Sequence, residues 1–273
     1  MSSQMGSICE FVARGWREPI PDVLPVEIRP LVSKDCKSRG LSTSTALFPP
    51  QQELGYHTHE VGEAITILKG EAEVACAGRT YRLRALDCIH VPAGTPHRVV
   101  NPSVTEPMLA HAAFGSDSPS RAFVDEAYPE DRRDEPQSGD PESVRRFEPS
   151  AAYELAERTK FYDLFAGRFG SVGICGGYGE FQPGASLPCH IHQFDESITI
   201  VTGEAVCQVA GRQYKLSDYD TAFVPEGRPH RFLNHTDQVM AMIWVYGGSE
   251  PERTLVTTGL CDGSVPWEGN IEA

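Results

Sequence analysis

No stretch of the sequence comes near the ~20 consecutive apolar residues that a bilayer-spanning helix needs, so the chain is expected to stay out of the membrane. The first residues, Met-Ser-Ser-Gln-Met-Gly, lack a basic region followed by an apolar core. No signal peptide is therefore expected, and the location predicted is cytoplasmic. Basic residues are scarce as well: 24 Lys and Arg stand against 38 Asp and Glu, a net charge of −14, with no dense basic run. That argues against nucleic acid and against anionic membrane surfaces as partners. The eight cysteines show neither a C-x-x-C pair nor a dense framework, and in a chain of this length they read as reduced thiols. Helical periodicity is nearly absent, and no helix-turn-helix segment is recognisable, which weighs against a transcription regulator.

What the sequence does contain is a duplication. Its 273 residues, 40% of them hydrophobic, suffice for two domains of ordinary size, each with a core. The stretch Gly184-Ala-Ser-Leu-Pro-Cys-His190-Ile-His192-Gln-Phe-Asp-Glu196 runs on to Gly203, and a second part reads Val224-Pro225-Glu-Gly227-Arg-Pro229-His230, followed by Asn234. Subtracting 133 gives His57, His59, Glu63, Gly70, Val91, Pro92, Gly94, Pro96, His97 and Asn101. The offset holds without a gap from Phe48/Phe181 to Asn101/Asn234, the mark of an internal repeat.

Side chains two apart on a strand share a face. His57 with His59, and His190 with His192, therefore point the same way, and Glu63 or Glu196 joins them if the strand continues. A Pro/Gly turn then delivers His97 or His230. Three imidazoles and a carboxylate form a ligand set that suits iron, manganese, nickel, cobalt or zinc better than copper(I). A lone histidine is more often structural; four candidate ligands repeated at the same spacing are not so easily explained that way. Up to two divalent metals per chain are expected.

The pattern G-x5-H-x-H-x3-E-x6-G, followed by P-x-G-x-x-H-x-x-x-N, resembles the two-part signature of the cupin superfamily, and its repetition resembles a bicupin. The second copy matches the first part in full. The first copy has Gln51 at the leading glycine, and both copies carry aspartate, Asp87 and Asp220, near the glycine expected to open the second part. The resemblance implies an all-β fold of two tandem jelly-roll barrels with the metal inside and one mouth open. Short strands separated by Gly/Pro turns agree with it.

The organisation predicted is an N-terminal domain over 1–115 with an N-terminal arm, a charged Pro/Gly-rich linker over 116–142 that is partly mobile, and a C-terminal domain over 143–273 with a tail. Phe11 and Trp16 sit in the arm. The proline-punctuated stretch 20–30 is expected at the rim of the first barrel. Ala77-Gly78-Arg79 reads as a hairpin turn. Tyr153–Phe165 has Leu155, Phe161 and Leu164 at helical spacing, which predicts a short helix. The tail, with Trp267, is expected to cover a barrel edge or a partner subunit. Exposed barrel edges favour a homodimer.

Other residues near the ligands carry weaker signals. Asp195 precedes Glu196 and should point away from the metal as a solvated carboxylate; Cys189 precedes His190 and should be a small buried thiol. Val99 and Phe232, two residues after the last histidines, should form apolar wall beside the metal. His111 and Trp244 share the 133 offset on the closing strands and are candidates to line the two cavities, with ordinary core or rim packing an equal alternative. His90, paired with Phe223, reads as structural, His235 as exposed, and Arg132-Arg133 and Arg145-Arg146 as solvated linker.

Four protein ligands leave open metal positions, the mark of a catalytic site. Cupins that keep three histidines and a glutamate are often dioxygenases, so the resemblance implies first an iron or manganese dioxygenase, an oxidoreductase acting on a small oxygenated organic acid or enol. The alternatives are a metal-dependent isomerase, lyase or decarboxylase using the metal as Lewis acid, and a non-enzymatic small-molecule binding protein. Beyond the metal ligands no catalytic residue is assignable.

Overall fold

The computed structural model describes residues 10–17, 25–148, 150–257 and 261. The chain is all-β, as expected, with two barrels each made of two facing sheets. Among the described residues, the helical turns are the short 3-10 segments Lys34–Cys36 and Gly167–Phe169.

In the first barrel, the metal-motif strand Glu63–Lys69 lies between Cys88–Val91 and Met108–Phe114. The facing sheet carries Glu53–Thr58 beside His97–Val100, so that His57 and His97 are register partners. The second barrel repeats the plan: Glu196–Thr202 lies between Thr221–Val224 and Met240–Tyr246, and His190 pairs with His230. Alternation then sorts the side chains. Ile65, Ile67, Val74, Ile89, Val91 and Val99 fill the first barrel, while Ile198, Ile200, Val224 and Phe232 help fill the second. The hairpin at Ala77-Gly78 is present with both residues at positive φ, 46° and 91°, and Ala210-Gly211 repeats it, the conformation that two-residue turns require.

The outward faces of the two metal-strand sheets pack on each other. Leu41, Ala64, Cys88 and Ala113 of the first barrel meet Leu164, Phe165, Ile174, Tyr178, Ala241, Ile243 and Val245 of the second. The arm strengthens this junction: Phe11–Ala13 pairs with Thr221–Phe223 of the second barrel. Asp220 then accepts from the Gly15 amide and from Arg14 and Arg17, at 2.8–2.9 Å. Trp16 is fully buried, its indole N–H on Thr45.

Three expectations need correction. The stretch 116–142 is not a loose linker. Ala122–Phe123 pairs with the His57 strand, Asp131–Arg133 with Arg79–Arg84, and the following Ser143–Arg145 with Cys88–Val91. Burial of Glu142, which receives Arg79 at 2.6 and 2.7 Å and the Tyr81 hydroxyl at 2.7 Å, fixes its end. Arg146 is likewise bound, to Asp87 at 3.0 Å. Within Tyr153–Phe165 the structure has the strand Thr159–Phe165, not a helix. Pairing with Cys175–Phe181 outweighs an accidental helical spacing. Finally, Cys189 and Cys261 form a disulfide, whereas Cys36, Cys76, Cys88, Cys175 and Cys207 are free. Trp267 lies outside the described residues. Among the described residues no helix is long and apolar enough to cross a membrane.

Candidate metal centres

Each barrel gathers its four motif residues at one end of its interior. In the first, donor atoms of His57, His59, Glu63 and His97 all lie within 4.8 Å of one another. In the second, His190, His192 and His230 meet that spacing. Glu196 is next to them, its Oε2 at 2.6 Å from His230 Nε2 and 3.6 Å from His192 Nε2. The 2.6 Å pair lies outside hydrogen-bond geometry, since both atoms lack a hydrogen-bond partner.

The protonation pattern suits a metal. Every one of the six histidines has Nδ1 on a backbone carbonyl. His57 donates to Gly55 at 2.8 Å, His97 to Thr95 at 2.9 Å, His190 to Pro188 at 2.9 Å and His230 to Arg228 at 2.8 Å. His59 donates to Ser120, and His192 to Glu252 at 2.6 Å. A carbonyl only accepts, so Nδ1 holds the proton and Nε2 presents its lone pair inward. This is the outer bonding that orients metal-bound imidazoles. His59, His192 and His230 Nε2 and Glu196 Oε2 are buried without hydrogen-bond partners, a cost that a cation in the cavity would remove. The chain thus carries two buried His/Glu sites for divalent metal.

The electrostatics agree for the first histidine of each set, whereas the last, His97 and His230, are raised by the glutamate beside them despite burial. Burial lowers His57 to about 4 and His190 to about 3, so both are neutral near pH 7 and free to ligate. For Glu63, burial pushes the carboxyl up, yet the imidazoles of His59 and His97, whose Nε2 atoms lie 3.3 and 2.8 Å from it, hold it well below the usual range. Glu196 is held near 2, burial being outweighed by the charges of His230 and His192. Both carboxylates are therefore ionised.

Val99 and Phe232 are buried in the walls directly beyond the last histidines. Trp244 is inside the second barrel, on a pocket wall. His111 is not its counterpart and does not line the first cavity. The loops after Asn101 and Asn234 differ by one residue, so the offset on the closing strand is 132: Met108 pairs with Phe48, and Met240 with Phe181. His111 faces the barrel junction, with Nε2 3.4 Å from Thr199 Oγ1 of the second barrel. His90 sits between the inward-facing Ile89 and Val91 and so faces outward. Asp195 points away from the metal site, as alternation predicted, but is buried rather than solvated. It accepts from the Arg39 and Glu226 amides at 2.7 and 2.8 Å, bridging the two barrels.

The sequence left several participants unread. Phe114 and Tyr246 lie against the second histidine of each set, 4.9 Å from His59 and 4.3 Å from His192 between ring centroids. They emerge from the sequence once the offset is taken as 132. Ser120 and Glu252 act through backbone carbonyls, which no residue type reveals. Glu60 receives the Ser120 amide at 3.0 Å and so steadies the carbonyl that orients His59. A pocket of about 350 Å³ reaches the first site and includes His59, Phe114, Ser44, Lys34 and Arg121; another of about 300 Å³ in the second barrel includes Trp244, Tyr246 and Arg253, with Tyr246 against His192.

The model of the cupin domain family matches residues 44–114 and again 177–246, just over half of the chain. A search of curated proteins returns no match. Among solved structures, a variant of the oxalate decarboxylase of Bacillus subtilis is similar at a TM-score of 0.69 and 17% identity, covering 84% of this chain and 74% of that one. The formate complex of the oxalate decarboxylase of Lactobacillus farciminis is similar at 0.67 and 16%, covering 84% and 83%. A further structure of the Bacillus subtilis enzyme, described for its Mn(II) centres, is similar at 0.66 and 17%, covering 84% and 74%.

Proposed function

The chain belongs to the cupin family, and from that premise we propose that it is a metal-dependent bicupin enzyme of the lyase type, removing carboxylate from a small organic acid. In this reading His57, His59, Glu63 and His97 hold one divalent metal, and His190, His192, Glu196 and His230 a second, with manganese favoured. The observation that carries it is the double membership of His59. It is a donor of the first set and also part of the wall of the 350 Å³ pocket. A donor set that meets a pocket is arranged for substrate, unlike a closed structural site.

When bound, the metal supplies Lewis-acid stabilisation of carboxylate and developing negative charge. The chain's own residues do the rest. Arg121, in the pocket wall, lies close enough for its charge to oppose protonation of His97. It is placed to hold a substrate carboxylate by paired hydrogen bonds. Phe114 closes one side of His59 and keeps water from it. The bond to the carboxylate carbon breaks, carbon dioxide departs, the electron pair stays on the carbon left behind, and a proton takes the place of carbon dioxide there. No oxidant is consumed in the balance.

The cupin resemblance alone pointed first to a dioxygenase. The likeness in fold to oxalate decarboxylases supports the Lewis-acid alternative better, and the metal sites serve either. The test is parallel measurement of carbon dioxide release and oxygen consumption, on manganese-loaded protein, across a panel of small dicarboxylates and 2-oxo acids. Carbon dioxide without stoichiometric oxygen uptake is expected, together with loss of at least 10²-fold in kcat/KM for Arg121→Ala. Stoichiometric oxygen uptake would return the reading to a dioxygenase.

A further inference from the structure

The two barrels differ where the repeat should make them alike. With the closing-strand offset at 132, Trp244 stands in the place of Ala112: Ala112 pairs with Ser44 and Ile65, and Trp244 with Gly177 and Ile198. By the same ladders Phe161 replaces Ile28, opposite Gly179 in one barrel and Ala46 in the other. The glycines make the room. A Cβ on Gly177 would lie 1.9 Å from the Tyr162 carbonyl oxygen and 2.7 Å from Trp244 Cζ2, and one on Gly179 would lie 2.7 Å from Phe161 Cε1. Small residues in the neighbouring strand and large rings in the pocket have been exchanged together.

The result is the 300 Å³ pocket, walled by Tyr153, Phe161, Trp244 and Tyr246, with Arg253 from the tail on its wall. Its volume is at the lower end for ligand sites, suited to a single ring. Its polar groups favour an anion. Trp244 is 2% exposed, and its Nε1–H has no hydrogen-bond partner among the described residues. A buried donor in that state calls for an acceptor. Among the described residues Arg253 gives one bond, to the Leu155 carbonyl at 3.3 Å, and its charge reaches Tyr153, His192 and Tyr246. The acidic group in the wall, Asp163, is already taken by the Tyr153 hydroxyl at 2.7 Å and by Arg168.

We propose that the second barrel binds a single-ring aromatic carboxylate, its ring held among Trp244, Tyr246, Tyr153 and Phe161 and its carboxylate held by Arg253. Flat π surfaces prefer an aromatic guest over a saturated ring of equal bulk, and the guanidinium supplies charge-assisted hydrogen bonds. Ser44, Ala112 and Ile28 offer no such wall in the first barrel, so the two sites take different ligands. This goes beyond the decarboxylation reading and does not depend on it.

The test is calorimetric titration of the full manganese-loaded chain with benzoate and cinnamate, against cyclohexanecarboxylate and acetate. One aromatic acid per chain is expected, at least tenfold tighter than cyclohexanecarboxylate. Arg253→Gln should weaken it at least tenfold, Trp244→Phe several-fold, and His57→Ala should leave it unchanged. Equal affinity for the saturated ring, binding indifferent to Arg253→Gln, or loss of binding in His57→Ala would each overturn the proposal. The comparison of aromatic with saturated acid needs no variant, so a variant that misfolds does not remove the test. If the protein takes up no manganese, the metal reading fails while the same comparison still decides this one on metal-free protein.

Discussion

His192 donates from Nδ1 to the backbone carbonyl of Glu252, 2.6 Å away across 60 residues of chain. The second metal site is thereby oriented by a tail that lies outside the repeat. The tail is fastened on both sides of that contact. Thr254–Leu255 pairs with His190-Ile191, the Val256 amide bonds the Cys189 carbonyl at 3.0 Å, and Cys261 is joined to Cys189.

Cys261→Ser should therefore weaken the second site and spare the first. Loss of an outer hydrogen bond to a metal-bound imidazole lowers metal affinity by ~10–100-fold. Metal retained against graded chelator, in this variant and in the unaltered protein, measures it. Equal retention at both sites would mean that the tail does not orient His192. Reduction of the disulfide by a dithiol should have the same direction of effect.

The stretch after the first barrel makes a second prediction. Glu142 is buried and receives the bidentate Arg79 and the Tyr81 hydroxyl. Removing one partner of such a pair leaves an uncompensated charge and costs about 3–5 kcal/mol. Glu142→Ala should lower the urea midpoint accordingly, while a change at exposed Glu130 should leave it nearly unmoved.

How far the sequence carried can be judged from particular residues. The repeated His-x-His, Glu and final His placed both donor sets, because strand alternation fixes which side chains share a face. The jelly-roll architecture followed from the same motifs. Tyr153–Phe165 misled because an edge strand whose one face packs on a neighbouring barrel can show apolar residues at helical spacing. His111 misled because a one-residue difference in a loop reverses inward and outward on the following strand. Asp87 and Asp220 stood beside the position where the motif expects glycine. Asp220 holds the arm, and Asp87 accepts the Phe147 amide at 3.0 Å, contacts between distant segments that local pattern does not contain. The Cys189–Cys261 bond, 72 residues apart, is hidden for the same reason.

The barrel junction should be acid-sensitive. Burial lowers His90 and His111 to about 4 each, against 6.5 in the unfolded chain. The unfolded state binds more protons between these values, so stability rises with pH across that window. It is undiminished above about pH 6.5 and falls as pH drops toward 4, by roughly 3 kcal/mol per histidine from a shift of this size. Urea unfolding at pH 7 and pH 4.5 measures the loss. His111→Leu should remove about half of it, and an unchanged pH slope in that variant would contradict the assignment.

The central claim is that each barrel holds a divalent metal on its three histidines and one glutamate. Elemental analysis of the metal bound per chain, on protein purified without chelator and then offered manganese, tests it most directly. About two equivalents are predicted for the unaltered chain and about one each for His57→Ala and His190→Ala. A chain that carries no metal and takes none up would contradict the account.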